Sequence, residues 1–182
     1  MTKKRITPNR PVNPSPAALI TSADANGKAN IITLGEVFNI SIQDPVIVGI
    51  AIRPSRYSHA LISASREFVV NLPTAAIVQQ VVQCGKVSGR ELDKFAVFGL
   101  TALPAATVGA PLIAECPVNI ECKVLSIQTV GDHDLFLGEA LAVHVDEDKL
   151  DGEDRCVTEK LDPLIYLNRQ FWSIGTQLKP LR

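Results

Sequence analysis

The chain has 182 residues, a length that predicts one domain with a closed hydrophobic core. Apolar residues make up 46% and charged residues 20%, which is typical of globular proteins and excludes disordered, collagenous and coiled-coil classes. The 18 basic and 19 acidic residues leave a formal charge of -1, with no long basic block. Because binding to a phosphate backbone needs such a block, we expect no nucleic-acid partner.

The N-terminus is basic, but the apolar run that follows it, Ala17 to Ile20, is short. A signal-peptide core needs about 7–15 apolar residues and a membrane span roughly 18. We therefore expect a cytoplasmic protein with no membrane partner. The 4 cysteines form no CxxC pair and have no nearby histidine, so we expect reduced thiols and no metal site.

The chain divides into an arm and a domain. Prolines and the lack of apolar periodicity predict an extended N-terminal arm over residues 1–13, and residues 14–182 are expected to form a single domain. Within it, Pro16–Ala23 and Asn30–Phe38 are predicted strands joined by a tight turn, because the Asn-Gly pair between them tolerates positive φ angles. Val46–Ile52 is a continuous apolar run, typical of a strand buried on both faces, which we expect to be central.

Two short helices are predicted on either side of the strand Glu67–Leu72. The first follows Pro54, where Ser55 or Ser58 is able to cap the exposed N–H groups. The second is amphipathic, and Gly85 is able to take the left-handed position that ends a helix. A polar, glycine-containing segment with one helical turn is expected after it.

The second half of the chain is again β. Val118–Val124 alternates with period 2, which predicts a strand whose wet face carries Asn119, Glu121 and Lys123. A turn at Gly131-Asp132 leads into the returning strand, and two short strands close the chain at Leu164–Leu167 and Phe171–Ile174. Many short strands with few helices predict a mainly β fold, a Greek-key or up-and-down barrel with helical insertions.

The junction Ile52–His59 is the first candidate site. A helix N-terminus presents unpaired N–H groups and partial positive charge, so Arg53, Ser55, Arg56 and Ser58 beside it would complete a socket for a phosphate. The alternative is that Ser58 only caps the helix and both arginines are solvated.

Two further candidates lie in loops. The segment Ser88–Phe95 is able to bring its backbone close to a ligand and to direct Lys94 or Arg90 at an anion, or else it is a solvated loop anchored by Phe95. His133 lies at a hairpin mouth between two aspartates, which favour the protonated ring. The alternative is an exposed turn histidine.

Motifs for several enzyme classes are absent. The sequence contains no GxSxG, GxxxxGK[ST], GxGxxG or HExxH, which removes support for a serine hydrolase, a P-loop, a dinucleotide fold or a zincin. Redox chemistry would therefore need a cofactor held in another way.

Several segments in order resemble the flavin reductase-like family of FMN-binding split barrels, which includes flavoredoxin. The most specific are SGRELDKF (Ser88–Phe95) and GDHDLFLGE (Gly131–Glu139), preceded by RPSRYSH (Arg53–His59) and EFVVNLP (Glu67–Pro73). The resemblance covers about residues 14–175. It implies a split β-barrel homodimer that binds FMN non-covalently near the subunit interface.

The resemblance also implies roles for residues. Arg53, Ser55, Arg56 and Ser58 match the phosphate socket. The isoalloxazine ring or ribityl chain would be met by Asn30, Thr33 and Leu34. Asn71 would order the adjoining junction, while Ser88 and Lys94 would approach from the loop. His133 would lie where hydride arrives and Tyr166 close to the ring, with Lys94 as the cation that stabilises the reduced flavin.

The function implied is an FMN-binding oxidoreductase that moves electrons from NADH or NADPH, or from a redox protein partner, to an acceptor. The alternative is a non-enzymatic flavin-binding or structural split-barrel dimer. Some relatives carry a tryptophan after the threonine strand, where this chain has Leu34-Gly35-Glu36-Val37-Phe38, so the environment of the ring is expected to differ.

Overall fold

A computed structural model describes residues 1–178. Its strands are β1 (Ser15–Pro16), β2 (Ala18–Ala23), β3 (Ala29–Leu34), β4 (Val37–Ser41), β5 (Ile47–Ile52), β6 (Glu67–Leu72), β7 (Ala102–Leu103), β8 (Leu112–Ile113), β9 (Val118–Val130), β10 (His133–Val145), β11 (Ile165–Leu167) and β12 (Gln170–Trp172). The helices are α1 (Tyr57–Ser65), α2 (Val78–Lys86), α3 (Lys94–Phe98) and α4 (Thr158–Leu161), with short 3-10 turns at Ala75–Ile77 and Glu147–Lys149. The mainly β fold predicted from the sequence is confirmed.

A seven-stranded antiparallel sheet, in the order β3-β2-β6-β9-β10-β5-β4, dominates the structure. Every one of its strands contributes to one buried cluster, including Leu34 of β3 and Val37 of β4. The sheet therefore curls on itself, and β3, at one edge, approaches β5 near the other edge. A second apolar cluster joins the outer face of β2 and β3 to α2 and α3. No helix within residues 1–178 has the length and apolar character needed to cross a membrane.

The strand predicted to be central, Val46–Ile52, forms β5 but lies next to the edge strand β4. It is nevertheless covered on both faces. Ile50 points into the barrel core, and on the opposite face a Cβ at Gly49 would lie 2.5 Å from the ring of Phe38. A continuous apolar run thus indicates burial on both faces, not position within the sheet.

The predicted wet face on β9 is confirmed at Lys123, which is exposed, and is wrong at Asn119 and Glu121. Asn119 and Glu121 are buried, because the segment between β7 and β8 folds over this side of the sheet. Glu121 accepts hydrogen bonds from the backbone N–H groups of Ala106 and Thr107 at 2.7 and 2.6 Å. Buried polar side chains require such partners. A strand whose polar residues are buried and hydrogen-bonded therefore has the same alternating sequence as a strand whose polar residues face solvent.

Three local predictions also differ from the structure. The Asn30–Phe38 strand is broken between β3 and β4 at Gly35, where Tyr166 packs against the backbone. The N-cap of α1 is Arg56, and no side chain caps this end. Gly85 lies inside α2, which ends at Lys86.

Candidate functional site: a cationic cleft beside α1

A cleft of about 650 Å³ lies between β3, β5, the first turn of α1 and the loop that follows α2. Of the site residues predicted from the sequence, only Asn71 and Tyr166 do not line this cleft. The predicted residues that line it are Asn30, Thr33, Leu34, Arg53, Ser55, Arg56, Ser58, Ser88, Lys94 and His133. The fold therefore brings into one cavity residues that are far apart in the chain.

Asn71 and Tyr166 lie elsewhere. Asn71 is fully buried in β6, where its side chain donates to the carbonyl of Leu19 and accepts from the backbone N–H of Ile113, so its amide joins the sheet to β8. Tyr166 is in β11, with its ring against Gly35 and beneath Arg10. Neither side chain lines the cleft, so any contribution they make to a ligand is indirect.

One end of the cleft is cationic. Among the described residues, Arg56, Lys86 and Arg90 form no salt bridge, and Arg90 lies over the ring of Tyr57 at 5.0 Å. The uncapped N-terminus of α1 adds unpaired N–H groups and the positive end of the helix dipole. Uncompensated positive charge beside free N–H donors is the arrangement that binds a phosphate.

Asn30 connects this end to the floor of the cleft. It is only 4% exposed, and its Nδ2 donates to the Oγ of Ser58, the second residue of α1, at 2.8 Å. Asn30 Oδ1 is buried without a hydrogen-bond partner among the described residues. A Cβ at Gly89 would collide with this oxygen, so a glycine lets the loop close over it. Asn30 lines the cleft, so this unpaired acceptor is suited to the hydroxyl of a ligand that reaches beneath the loop.

Lys94 lies in the wall of the cleft, also 4% exposed. Asp93 caps α3 by accepting from the N–H of Phe95 at 3.0 Å, and this places Lys94 in the first turn. Its Nζ donates to the carbonyls of Ile31 and Cys84 at 2.6 and 2.7 Å, so the ammonium joins β3 to α2. Two of its three donors are used in this way.

Burial lowers the pKa of Lys94, and nearby Arg56 lowers it further, against an opposing influence of Cys84. The ammonium therefore sits in a region that is already positive. A bound anion would stabilise its charged form.

His133 lines the cleft and is linked to Arg53 through Asp132. Its Nδ1 lies 2.7 Å from Asp132 Oδ1, and Asp132 Oδ2 lies 2.9 Å from Arg53. The hydrogen bond from His133 is the main reason why the pKa of Asp132 is lowered, with Arg53 a smaller contributor. Since Nδ1 faces the carboxylate, Nε2 is the nitrogen left for a ligand.

A second histidine fixes the helix beside this part of the cleft. His59 of α1 bonds through Nε2 to Asp134 Oδ2 at 2.7 Å and meets the ring of Phe136 edge-on at 5.2 Å. This contact ties the helix that supplies the cationic end to β10, which carries His133. These contacts give His59 a positioning role.

Sequence reasoning missed Arg10 and Glu36, which close the other end of the cleft. Arg10 Nη1 lies 2.9 Å from Glu36 Oε1, and its guanidinium lies 5.8 Å from the centre of the Tyr166 ring. No local pattern marks either residue, because the contact joins the N-terminal arm to the β3–β4 junction and to β11.

The comparisons with known proteins agree with this geometry. A family model described as "Flavin reductase like domain" matches residues 11–175. Flavoredoxin of Desulfovibrio vulgaris (Miyazaki F) has a similar structure, with a TM-score of 0.90 and 28% identity, covering 98% of this chain and 97% of that one. The split-barrel fold expected from the resemblance is thus confirmed.

Two sequence relatives extend the comparison. An uncharacterized protein of Archaeoglobus fulgidus is 40% identical over 64% of this chain, a match that spans 65% of the relative. An NADH:riboflavin 5'-phosphate oxidoreductase of Streptomyces pristinaespiralis is 29% identical over 71% of this chain and 70% of its own length. With the family model covering most of its length, the chain belongs to the flavin reductase-like family of split-barrel flavoproteins.

Proposed function

We propose that this protein is an FMN-binding oxidoreductase that moves electrons from NADH or NADPH, or from a protein donor, through non-covalent FMN to an acceptor. The observation that carries the proposal is the cationic end of the cleft, where arginines without salt bridges meet the uncapped N-terminus of α1. The Streptomyces relative, named for NADH and riboflavin 5'-phosphate, supports the same cofactor class.

The residues present fit FMN. Arg53, Ser55, Arg56 and Ser58 would hold its phosphate, with Ser88 approaching from the loop. The orphaned Oδ1 of Asn30 would accept a hydrogen bond from a ribityl hydroxyl. Beyond it the floor is formed by apolar side chains of β3 and β5, which suits a planar aromatic ring; these include Ile32, Leu34 and Ala51. Thr33 contributes mainly backbone, because its hydroxyl already donates to the carbonyl of Val81.

FMN, when bound, supplies the redox chemistry, since it accepts a hydride or single electrons. The protein would orient the FMN and stabilise the negative charge and the proton that its reduction involves. The Lys94 ammonium, buried in the cleft wall, would stabilise negative charge that develops nearby, and its desolvation strengthens this effect. His133, with Nδ1 bonded to Asp132, would hold or deliver a proton at Nε2.

The proposal includes a homodimer in a cytoplasmic setting, with residues 14–182 as one FMN-binding domain. The edge strand β4 and its flanking turn expose Phe38, Ile40, Ile42 and Val46, of which Ile42 is 80% exposed. An unpaired edge beside an apolar surface is suited to a second copy of the chain. Ile40→Lys should therefore shift the protein toward monomer in light scattering, and an unchanged mass would contradict this interface.

The phosphate assignment is tested by flavin binding. Arg56→Ala should weaken FMN about tenfold or more, since a charge-assisted hydrogen bond contributes about 1.5–3 kcal/mol, and should leave riboflavin nearly unchanged. Arg155→Ala is the matched control, because Arg155 is an exposed arginine in a surface salt bridge outside the cleft. Equal weakening of FMN and riboflavin by Arg56→Ala would contradict the assignment.

The second candidate function is a non-enzymatic flavin-binding or structural dimer. The observation that favours it is the pair of backbone carbonyls bound by Lys94, a structural use of this side chain. A His133→Ala variant separates the two functions. Loss of NAD(P)H oxidation with FMN still bound supports the oxidoreductase, whereas unchanged turnover removes the role given to His133.

A further inference from the structure

The end of the cleft opposite the phosphate socket differs from it in charge. Arg53 aside, the cationic end carries arginines without acidic partners, but the far end carries Arg10 paired with Glu36 at 2.9 Å. The pair is neutral overall. Because each charge is compensated by the other, this end has no net charge to attract an ionic group, and it is suited to an uncharged polar group that hydrogen-bonds to both side chains.

The two ends are a ligand's length apart. Asn30, bonded to Ser58 at the socket, and Leu34, next to the Arg10 end, are separated by about 13 Å at a strand rise of roughly 3.3 Å per residue. A single extended ligand with its phosphate in the socket would therefore place its other end at the Arg10–Glu36 pair.

The pair is held in place from both sides. The carbonyl of Glu36 accepts from the N–H of Ala51 at 3.0 Å, which fixes its backbone on β5. Arg10 is held by the ring of Tyr166, and its carbonyl accepts from Asn13 Nδ2 at 2.8 Å. Gly35 allows this arrangement, because a Cβ there would lie 3.0 Å from the Tyr166 ring. The N-terminal arm is thus part of the cleft.

The salt bridge occupies Nη1 of Arg10 and Oε1 of Glu36. The guanidinium has further N–H donors and the carboxylate a second oxygen, so the pair presents a donor beside an acceptor. This pattern is complementary to a neutral edge with an adjacent C=O and N–H, as in an imide or carboxamide.

We propose that Arg10 and Glu36 form a second subsite of the cleft that recognises the neutral imide or carboxamide edge of the bound ligand. This inference rests on the proposed function. Within that function, the edge belongs either to the pyrimidine ring of the flavin or to the carboxamide of the nicotinamide donor. The Tyr166 side chain is then a positioning residue that acts through Arg10.

The test compares Arg10→Ala with Arg5→Ala, a control that removes the same charge from an exposed position of the same arm. Kd values are measured for FMN, riboflavin and nicotinamide mononucleotide. If the edge is the flavin's, Arg10→Ala weakens FMN and riboflavin by the same factor, roughly tenfold or about 1.4 kcal/mol. If it is the donor's, only the nicotinamide ligand weakens. Arg5→Ala changes none of them.

A double variant separates recognition from charge exposure. Arg10→Ala leaves Glu36 unpaired, so Arg10→Ala/Glu36→Gln is measured as well. Continued weakness of the double variant supports recognition, and full recovery overturns it. The inference also fails if Arg10→Ala changes no ligand, or weakens FMN without riboflavin. In these cases the wild type still binds FMN and the proposed function stands, whereas a wild type that binds no flavin overturns both.

Discussion

Replacing Glu121 by glutamine tests how the fold buries a charge. Glu121 is 0% exposed and accepts from Ala106, Thr107 and His144, the last at 2.6 Å from Nε2. Burial acts to raise the pKa of this carboxyl, but the hydrogen bonds, led by the one from the Thr107 side chain, outweigh it and lower the pKa from 4.5 to about 2. The carboxylate therefore stabilises the folded state.

The size of the effect follows from this lowered pKa. A shift from 4.5 to about 2 corresponds to about 3 kcal/mol of folding stability, fully present above pH 4.5 and lost as the pH falls toward 2. About 2 kcal/mol of it should be gone by pH 3. Glu121→Gln has no carboxylate to protonate, so its stability should fall less between pH 5 and pH 3 than that of the wild type.

Urea unfolding at pH 7, 5 and 3 measures this difference. Glu153→Gln is the matched control: its carboxylate is exposed in a surface salt bridge with Arg155, and the substitution should change stability by less than about 1 kcal/mol. The reasoning is refuted if Glu121→Gln and the wild type lose the same stability between pH 5 and pH 3.

Two further predictions concern the cleft. Lys94→Met leaves the carbonyls of Ile31 and Cys84 without their donor, which should lower the free energy of unfolding by about 1–3 kcal/mol and weaken FMN binding, as measured by urea unfolding and flavin fluorescence. A gain in stability would contradict a charged lysine at this position. Gly89→Ala should push the loop off Asn30 and weaken FMN binding in the same fluorescence assay. Combining it with Asn30→Ala should relieve the collision and return the free energy of unfolding toward that of Asn30→Ala alone. Unchanged FMN binding in Gly89→Ala would show that the loop moves freely.

The sequence predicted the strands and helices well where the signal was local. The turn before β3, the strand Glu67–Leu72 and the long β9–β10 hairpin all follow from turn residues and period-2 patterns. Prediction from the sequence failed where tertiary contacts determine which side chains are buried. Asn119 and Glu121 have the pattern of a wet face, but both are buried: Glu121 accepts from the backbone of the β7–β8 loop, and Asn119 donates to Asn71 of β6 and to the carbonyl of Ile113 in β8.

The candidate site shows the same division. The socket residues follow one strand-to-helix junction, so they could be predicted from neighbouring residues. The Arg10–Glu36 pair could not, because it depends on the arm packing against Tyr166. The resemblance implies a position for Tyr166 close to the flavin ring, but the Tyr166 side chain does not line the cleft and packs against Arg10, which does.

The central claim is tested most directly by the visible absorbance spectrum of the purified protein, recorded after addition of FMN and desalting and again after addition of NADH or NADPH. Flavin absorption bands should remain with the protein after desalting and should bleach on addition of the nicotinamide donor. A colourless protein that also fails to bind FMN in a fluorescence titration would contradict it.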